Sequence, residues 1–395
     1  MDVPEMLSVI IRYILYAIII VYTYRILFHP LHYLPGPFME TFTDWHGAFY
    51  AIRKNLSLQI YRNHQKYGQG INDRAMREFE PLMLTPIDIF IKELAKSTKG
   101  ENIIVDMTDR CRYLGFDIIG QLSFGTALNM QTSTANRFML SGMDTSNFRI
   151  NLYMRFLLLK RAGMELILYP FILTSQMAYY KKLRDLIIAR RAEGKHTRKD
   201  LYSFVVDAKD PDTGEGMRLR DIWSEAAFSM PAGGDTTSTA LAGAFFYLSR
   251  YPDCYGRLAQ EIRSTFTSGS EIRHSTRLSS CTYLHACIDE AISNNEQPLV
   301  IKGQVIPPGT EVGVNIYTIH HNEEYFPDSY ASKPERWLDK TPERKKLMHD
   351  AFTAFSLGPL GCGGKAMAYR ETCIAIAKTF WYLDFERLAQ DGKAN

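Results

Sequence analysis

The 395-residue chain has few cysteines, and they do not pair: Cys111, Cys254, Cys281, Cys287, Cys362 and Cys373 are scattered without a single C-x-x-C. This excludes a zinc knuckle and a disulfide framework, and it points to a reducing compartment. An excess of one charge is lacking too, since 46 Lys and Arg against 43 Asp and Glu leave a net +3. So small a balance argues against nucleic acid as a partner. What remains, 46% hydrophobic and 23% charged, is ordinary globular material, long enough for one large or two medium domains.

A long apolar run does occur at the start. Met6 to Leu27 has the length of a membrane span, is free of charge from Tyr13 to Tyr24, and needs only Arg12 to snorkel. A cleaved signal peptide fits less well, because Asp2 and Glu5 precede the run and no small-residue cleavage site follows. We read residues 1–27 as an uncleaved anchor, with Arg25 placing the body on the cytosolic side. The sequon at Asn55 would then never meet the glycosylation machinery. His29 to Phe38, with three prolines and a glycine, lies in a stiff connector, residues 28–38.

Residues 39–395 read as the folded body, mainly α with a small β region. Trp45 to Gly68 has a helical pattern, and Asn72 to Ala95 has another, interrupted at Pro81 and Pro86. Met107 to Phe124, Phe148 to Leu173 and Ser175 to Glu193 continue the helices, and a charged surface loop is expected after Arg190, through Asp210 and Gly214. From Arg220 to Arg250 one helical period survives across AGGDTTST, so a long helix is broken locally there, with Pro231 sharpening the kink. Cys281 to Glu290 reads as a helix, Leu299 to Asn315 as a strand hairpin, and His320, His321, Glu323 and Glu324 as an exposed loop rather than a metal cluster.

The chemistry concentrates at Ala351 to Ala366, AFTAFSLGPLGCGGKA, where an apolar run ends in glycines around Cys362 and a helix follows at once. A thiol at a helix N-terminus is shifted towards thiolate, a ligand for soft or borderline metals including haem iron, and the glycines leave room for a flat macrocycle. The alternative is an inert cysteine in a tight turn. Two phosphate readings fail. Gly361, Gly363 and Ala366 satisfy the relaxed dinucleotide pattern, but too little chain follows for a doubly wound sheet, and a Walker loop has Pro359 and Ala366 at required positions.

Phe355, Gly358, Cys362 and Gly364 match F-x-x-G-x-R-x-C-x-G, and the chain thereby resembles the cytochrome P-450 monooxygenases, with Leu360 where that motif has arginine. Ala232, Gly233, Asp235 and Thr236 resemble the family's A/G-G-x-D/E-T; Glu290 matches the Glu of E-x-x-R, with Ser293 at the Arg position; and Lys333 to Trp337 matches P-E-R-F/W. The likeness is greatest to fungal, membrane-anchored members that decorate secondary metabolites. It implies a helical haem domain, incomplete near 68–71 and 293–300, with no W-x-x-x-R. It further implies haem b on the Cys362 thiolate, with Phe355, Gly358, Gly364 and Gly233 against the cofactor and Asp235 and Thr236 handling protons. Glu290 would pair with Arg336 structurally. Electrons would come from NADPH through a membrane-bound flavoprotein reductase docking near Lys365 and Arg370, at the endoplasmic reticulum membrane, to oxidise a lipophilic small molecule. The second reading of the same residues is a non-catalytic relic, or a truncated gene model, of the family.

Overall fold

The computed structural model describes residues 16, 73–97, 104–155, 165–194, 197–198, 200–206, 225, 228–293, 316–357 and 361–388. The expected anchor (apart from Tyr16, which is helical), the connector, the helix from Trp45 to Gly68 and the hairpin from Leu299 to Asn315 lie outside these residues. Among the described residues there is no strand, and no helix is long and apolar enough to cross a membrane.

The elements in order are α1 (Asp73–Ser97), α2 (Met107–Phe124), α3 (Phe138–Arg155), α4 (Glu165–Ala192) and α5 (Leu201–Val206). A π-helical turn, Met230–Asp235, then runs into α6 (Thr236–Leu248), followed by α7 (Pro252–Thr265), α8 (Thr276–Ser279) and α9 (Thr282–Ser293). The last are α10 (Ile316–His320), a 3-10 turn at Pro334–Leu338, α11 (Pro342–Ala351) and α12 (Lys365–Tyr382). The chain divides into two compact units. One takes Met1–Ser57, Ser146–Phe171 and Val300–Gly313, and its described part is Tyr16, the end of α3 and the start of α4. The other takes Leu58–Thr145, Ile172–Leu299 and Val314–Asn395, and it holds every site residue discussed below.

Within that larger unit the helices are explained by caps and faces. Asp106 caps α2, accepting from the Thr108 and Asp109 amides at 2.9 and 3.3 Å, and Gly125 ends it at φ +60°. Against expectation, α1 runs unbroken through Pro81 and Pro86. Each proline costs about 3 kcal/mol inside a helix. Phe79, Met83, Ile87, Phe90 and Leu94 form one buried stripe along α1, and at about 1.5–3 kcal/mol each their burial outweighs that cost.

Of the charged surface loop expected after Arg190, residues 191–194, 197 and 198 are exposed, whereas Asp200 is buried and Leu201–Val206 is helical; 207–214 lie outside the described residues. The Arg190 side chain is fully buried, forked onto the Asp200 carboxylate, bonded to the Gly194 carbonyl at 2.8 Å and stacked on Tyr202. An arginine that finds two oxygens in fork geometry can be buried with its charge matched.

α12 is buried almost all round, packing on α1, α6, α7 and α9, with Ile374, Ala375, Ile376 and Ala377 inaccessible. Its polar residues must therefore find partners. Lys378 reaches Asp88 and Arg370 lies 3.6 Å from Glu80, but both Glu371 carboxylate oxygens are buried without a hydrogen bond among the described residues. Burial alone holds this carboxyl well above the usual range. Glu371→Met is expected to raise stability at neutral pH by on the order of 2 kcal/mol, since it removes an unsatisfied buried group at similar volume. Chemical denaturation of the two proteins checks this, and a loss of stability would refute it.

Candidate cofactor site around Cys362

The cysteine loop is built from both ends. The Cys362 amide donates to the Phe355 carbonyl at 2.7 Å, closing the loop, and the Lys365 amide donates to the Cys362 carbonyl at 3.3 Å as α12 begins behind Gly364. Ser356 sits at φ +57°, a left-handed conformation that a non-glycine residue adopts at some cost. Of the six cysteines only Cys362 is exposed. Among the described residues, a Cβ placed on Gly364 would meet nothing nearer than the Cys362 sulfur, 3.8 Å away, so they leave the space beside the thiol open. Gly358 lies outside the described residues.

Aromatic rings back this loop. The Phe355 and Tyr369 rings lie 5.3 Å apart, and the Lys365 ammonium sits 5.5 and 6.0 Å from their centroids. Phe352, next in the chain of rings, contacts Trp337 and stacks on His320. His320 itself, expected on an exposed loop, is buried at the end of α10, where its Nε2 accepts the Thr353 amide at 3.0 Å. It thus holds the stretch leading to Phe355.

Glu290 and Arg336 come together at 3.0 Å, both nearly inaccessible. The missing third partner is replaced by backbone and indole. Glu290 accepts from the Lys333 amide and from Trp337 Nε1, each at 2.8 Å, while Arg336 donates to the carbonyls of Pro327, Asp328, Ala331 and Lys333. Burial pushes the Glu290 carboxyl up, and the Arg336 charge pulls it back.

On the long helix, the break expected at AGGDTTST is the π-helical turn Met230–Asp235, with Pro231 lacking the amide that a regular ladder needs. Its glycines serve close packing. A Cβ on Gly233 would come within 2.5 Å of Ile119, one on Gly234 within 3.0 Å of Phe116, and one on Gly115 within 2.6 Å of the Gly234 carbonyl. Thr236 is exposed and donates to the Ala232 carbonyl. Asp235 is half-buried; burial raises its pKa, nearby Arg112 opposes this and Asp144 adds to it. Neither side chain makes a hydrogen bond to the described residues of the cysteine loop.

The basic face expected near the loop is narrower than the sequence suggested. Arg370 is buried against Glu80, because the face of α12 that carries it packs on α1, and Lys365 alone of the pair is exposed. Sequence reasoning also passed over Asp289, Tyr369 and Ser356. The one available signal for the first two was a carboxylate beside Glu290 and an aromatic one turn after Lys365.

A family model for cytochrome P450 matches residues 61–394. The chain belongs to the cytochrome P-450 family. The cytochrome P-450 monooxygenase apf7 of Gibberella fujikuroi is 28% identical over 95% of this chain and 90% of its own. A second, lcsN of Purpureocillium lilacinum, is 34% identical over 69% of this chain and 86% of its own, and AKT7 of Alternaria alternata is 27% identical over 90% and 84%. The alignment with apf7 runs over 477 positions, more than the 395 residues present here, so that relative carries residues with no counterpart in this chain.

As a cytochrome P-450 monooxygenase, the protein uses haem iron with a cysteine thiolate ligand and electrons supplied by a reductase. Its own residues fit that cofactor. Among the described residues no group of three or more His, Cys, Asp or Glu could hold a bare ion. A single exposed thiol with open space beside it suits a metal whose remaining ligands arrive with a macrocycle.

Proposed function

We propose that this cytochrome P-450 oxidises a lipophilic small molecule by hydroxylation, epoxidation or desaturation in fungal secondary metabolism, with Cys362 as the haem ligand. The observation that carries the assignment is the exposure of Cys362 alone among six cysteines, at the start of α12 in a loop closed through Phe355. Haem so held supplies oxygen activation, helped by electron donation from the thiolate.

The chain's own residues position and deliver. Phe355, Gly358, Gly364 and Gly233 give the cofactor its faces, and Glu290 with Arg336 secures the segment before the loop. Asp235, whose carboxyl burial pushes up, exchanges protons, and Thr236 carries a hydroxyl that can leave the Ala232 carbonyl to pass a proton on. The reductase is a membrane-bound NADPH flavoprotein that meets Lys365. Residues 6–27 anchor the protein in the endoplasmic reticulum membrane with its body cytosolic, and the residues absent relative to apf7 belong near 68–71 and 293–300.

The reduced carbon monoxide difference spectrum of the membrane-expressed chain tests the proposal. A strongly red-shifted Soret band is expected, and protein without haem signal favours the relic reading. Thr236→Ala should keep that band while diverting electrons to hydrogen peroxide, with product per NADPH falling roughly ten-fold or more. Unchanged peroxide release per NADPH would remove Thr236 from the proton path.

A further inference from the structure

Two adjacent acids on α9 face different ways. Glu290 grips Arg336 and Trp337, in the segment before the cysteine loop, while Asp289 accepts the Tyr369 hydroxyl, on the helix after it. Tyr369 in turn packs on Phe355, whose carbonyl closes the loop, and Lys365 covers both rings. The two sides of the loop are thus tied to neighbouring residues of one helix.

We propose that Asp289 is a positioning residue for the haem-ligating loop, acting through Tyr369 to hold Phe355, Lys365 and hence Cys362 in place. This rests on the reading of Cys362 as ligand. It also gives α9 a second tie beyond Glu290, in a chain whose Ser293 cannot supply the arginine of E-x-x-R.

The tie is charge-sensitive. Burial pushes the Asp289 carboxyl up to about 6, while Tyr369 and Lys365 draw it down and Glu290 adds to the rise. Among the described residues, the other elements packed on α9 bring little that would mask this. α6 has no charged residue, α7 turns Glu261 to the amides of Tyr283 and Leu284, and Arg257 of α7 pairs with Glu335 of the 3-10 turn. Arg336 of that turn is spent on Glu290, and His285, one helical turn before Asp289, has its pKa lowered by burial. On α12, burial keeps Cys373 a neutral thiol. An ionised carboxylate accepts a stronger hydrogen bond from Tyr369 than a protonated one does.

The test is maleimide labelling of Cys362, the exposed cysteine, on the full-length chain in membranes before haem is added, from pH 5 to 8. Rates are read as the ratio of variant to wild type, so that thiol ionisation cancels. For Asp289→Asn the ratio should be near one at pH 5, where both acceptors are neutral, and rise about five-fold by pH 7.5. Tyr369→Phe, which loses the tie at every pH, should label faster than wild type throughout. A flat Asp289→Asn ratio, or a Tyr369→Phe ratio of one, overturns the proposal. Haem is then added to the wild type. Failure of the red-shifted carbon monoxide band there counts against the ligand reading alone, since the labelling ratios need no haem.

Discussion

Cys362→Ala abolishes the red-shifted Soret band and all monooxygenase turnover while leaving the protein folded. The substitution removes an exposed thiol beside open space, so its cost in stability should stay within about 0.5 kcal/mol. No other cysteine can take over. Cys111, Cys254, Cys281, Cys287 and Cys373 are buried, and in each burial pushes the thiol up, against the thiolate a metal requires. Cys373 is the nearest rival in sequence, but it sits inside α12 with its sulfur 3.8 Å from His285 Nδ1. Cys373→Ala should therefore behave oppositely, costing on the order of 1–2 kcal/mol as a buried truncation and keeping the band. Paired difference spectra and thermal melts of the two variants separate these outcomes. A band surviving in Cys362→Ala would mean that the ligand is misassigned.

What the sequence shows of this fold depends on whether a signal is local. α2 begins and ends where its apolar stretch does, because Asp106 and Gly125 act on their own neighbours. The break in the long helix was legible for the same reason, as Pro231 and the glycines act on the turn that contains them. The continuity of α1 was not legible, since it is secured by a buried stripe whose partners lie on other helices. Arg370 and His320 misled in the same way. Each looks like surface by residue type, and each is buried by a partner far away in sequence: Glu80 and the Thr353 amide.

The site divides likewise. Cys362, its glycines and AGGDTT stand in short motifs, whereas Asp289 and Tyr369 are 80 positions apart and carry no motif of their own. Glu290 and Arg336 were paired on resemblance, but the replacement of the third partner by four carbonyls, an amide and an indole could be seen only in three dimensions.

That replacement makes Arg336→Met the most destabilising change we expect. It removes the Arg336 guanidinium from the buried Glu290 carboxylate and strips the donor from the carbonyls of Pro327, Asp328, Ala331 and Lys333. Breaking a buried pair from one side costs about 3–5 kcal/mol. Replacing both partners with apolar residues should cost much less than the sum of the single changes, so a Glu290→Met, Arg336→Met cycle is expected to show strong coupling. The pH dependence follows from the direction of the Glu290 shift. Its folded pKa is raised by burial, so the native state binds a proton more tightly than the unfolded chain and stability falls as pH rises through that window. Without Arg336 the folded pKa rises further, because the guanidinium charge that pulls it down has gone. The deficit of Arg336→Met should accordingly be smaller at pH 5 than at pH 8. Urea denaturation of the full-length protein in detergent at the two pH values measures it, and a deficit below about 1 kcal/mol, or one that grows towards acid, would show that Glu290 is not held ionised by this arginine.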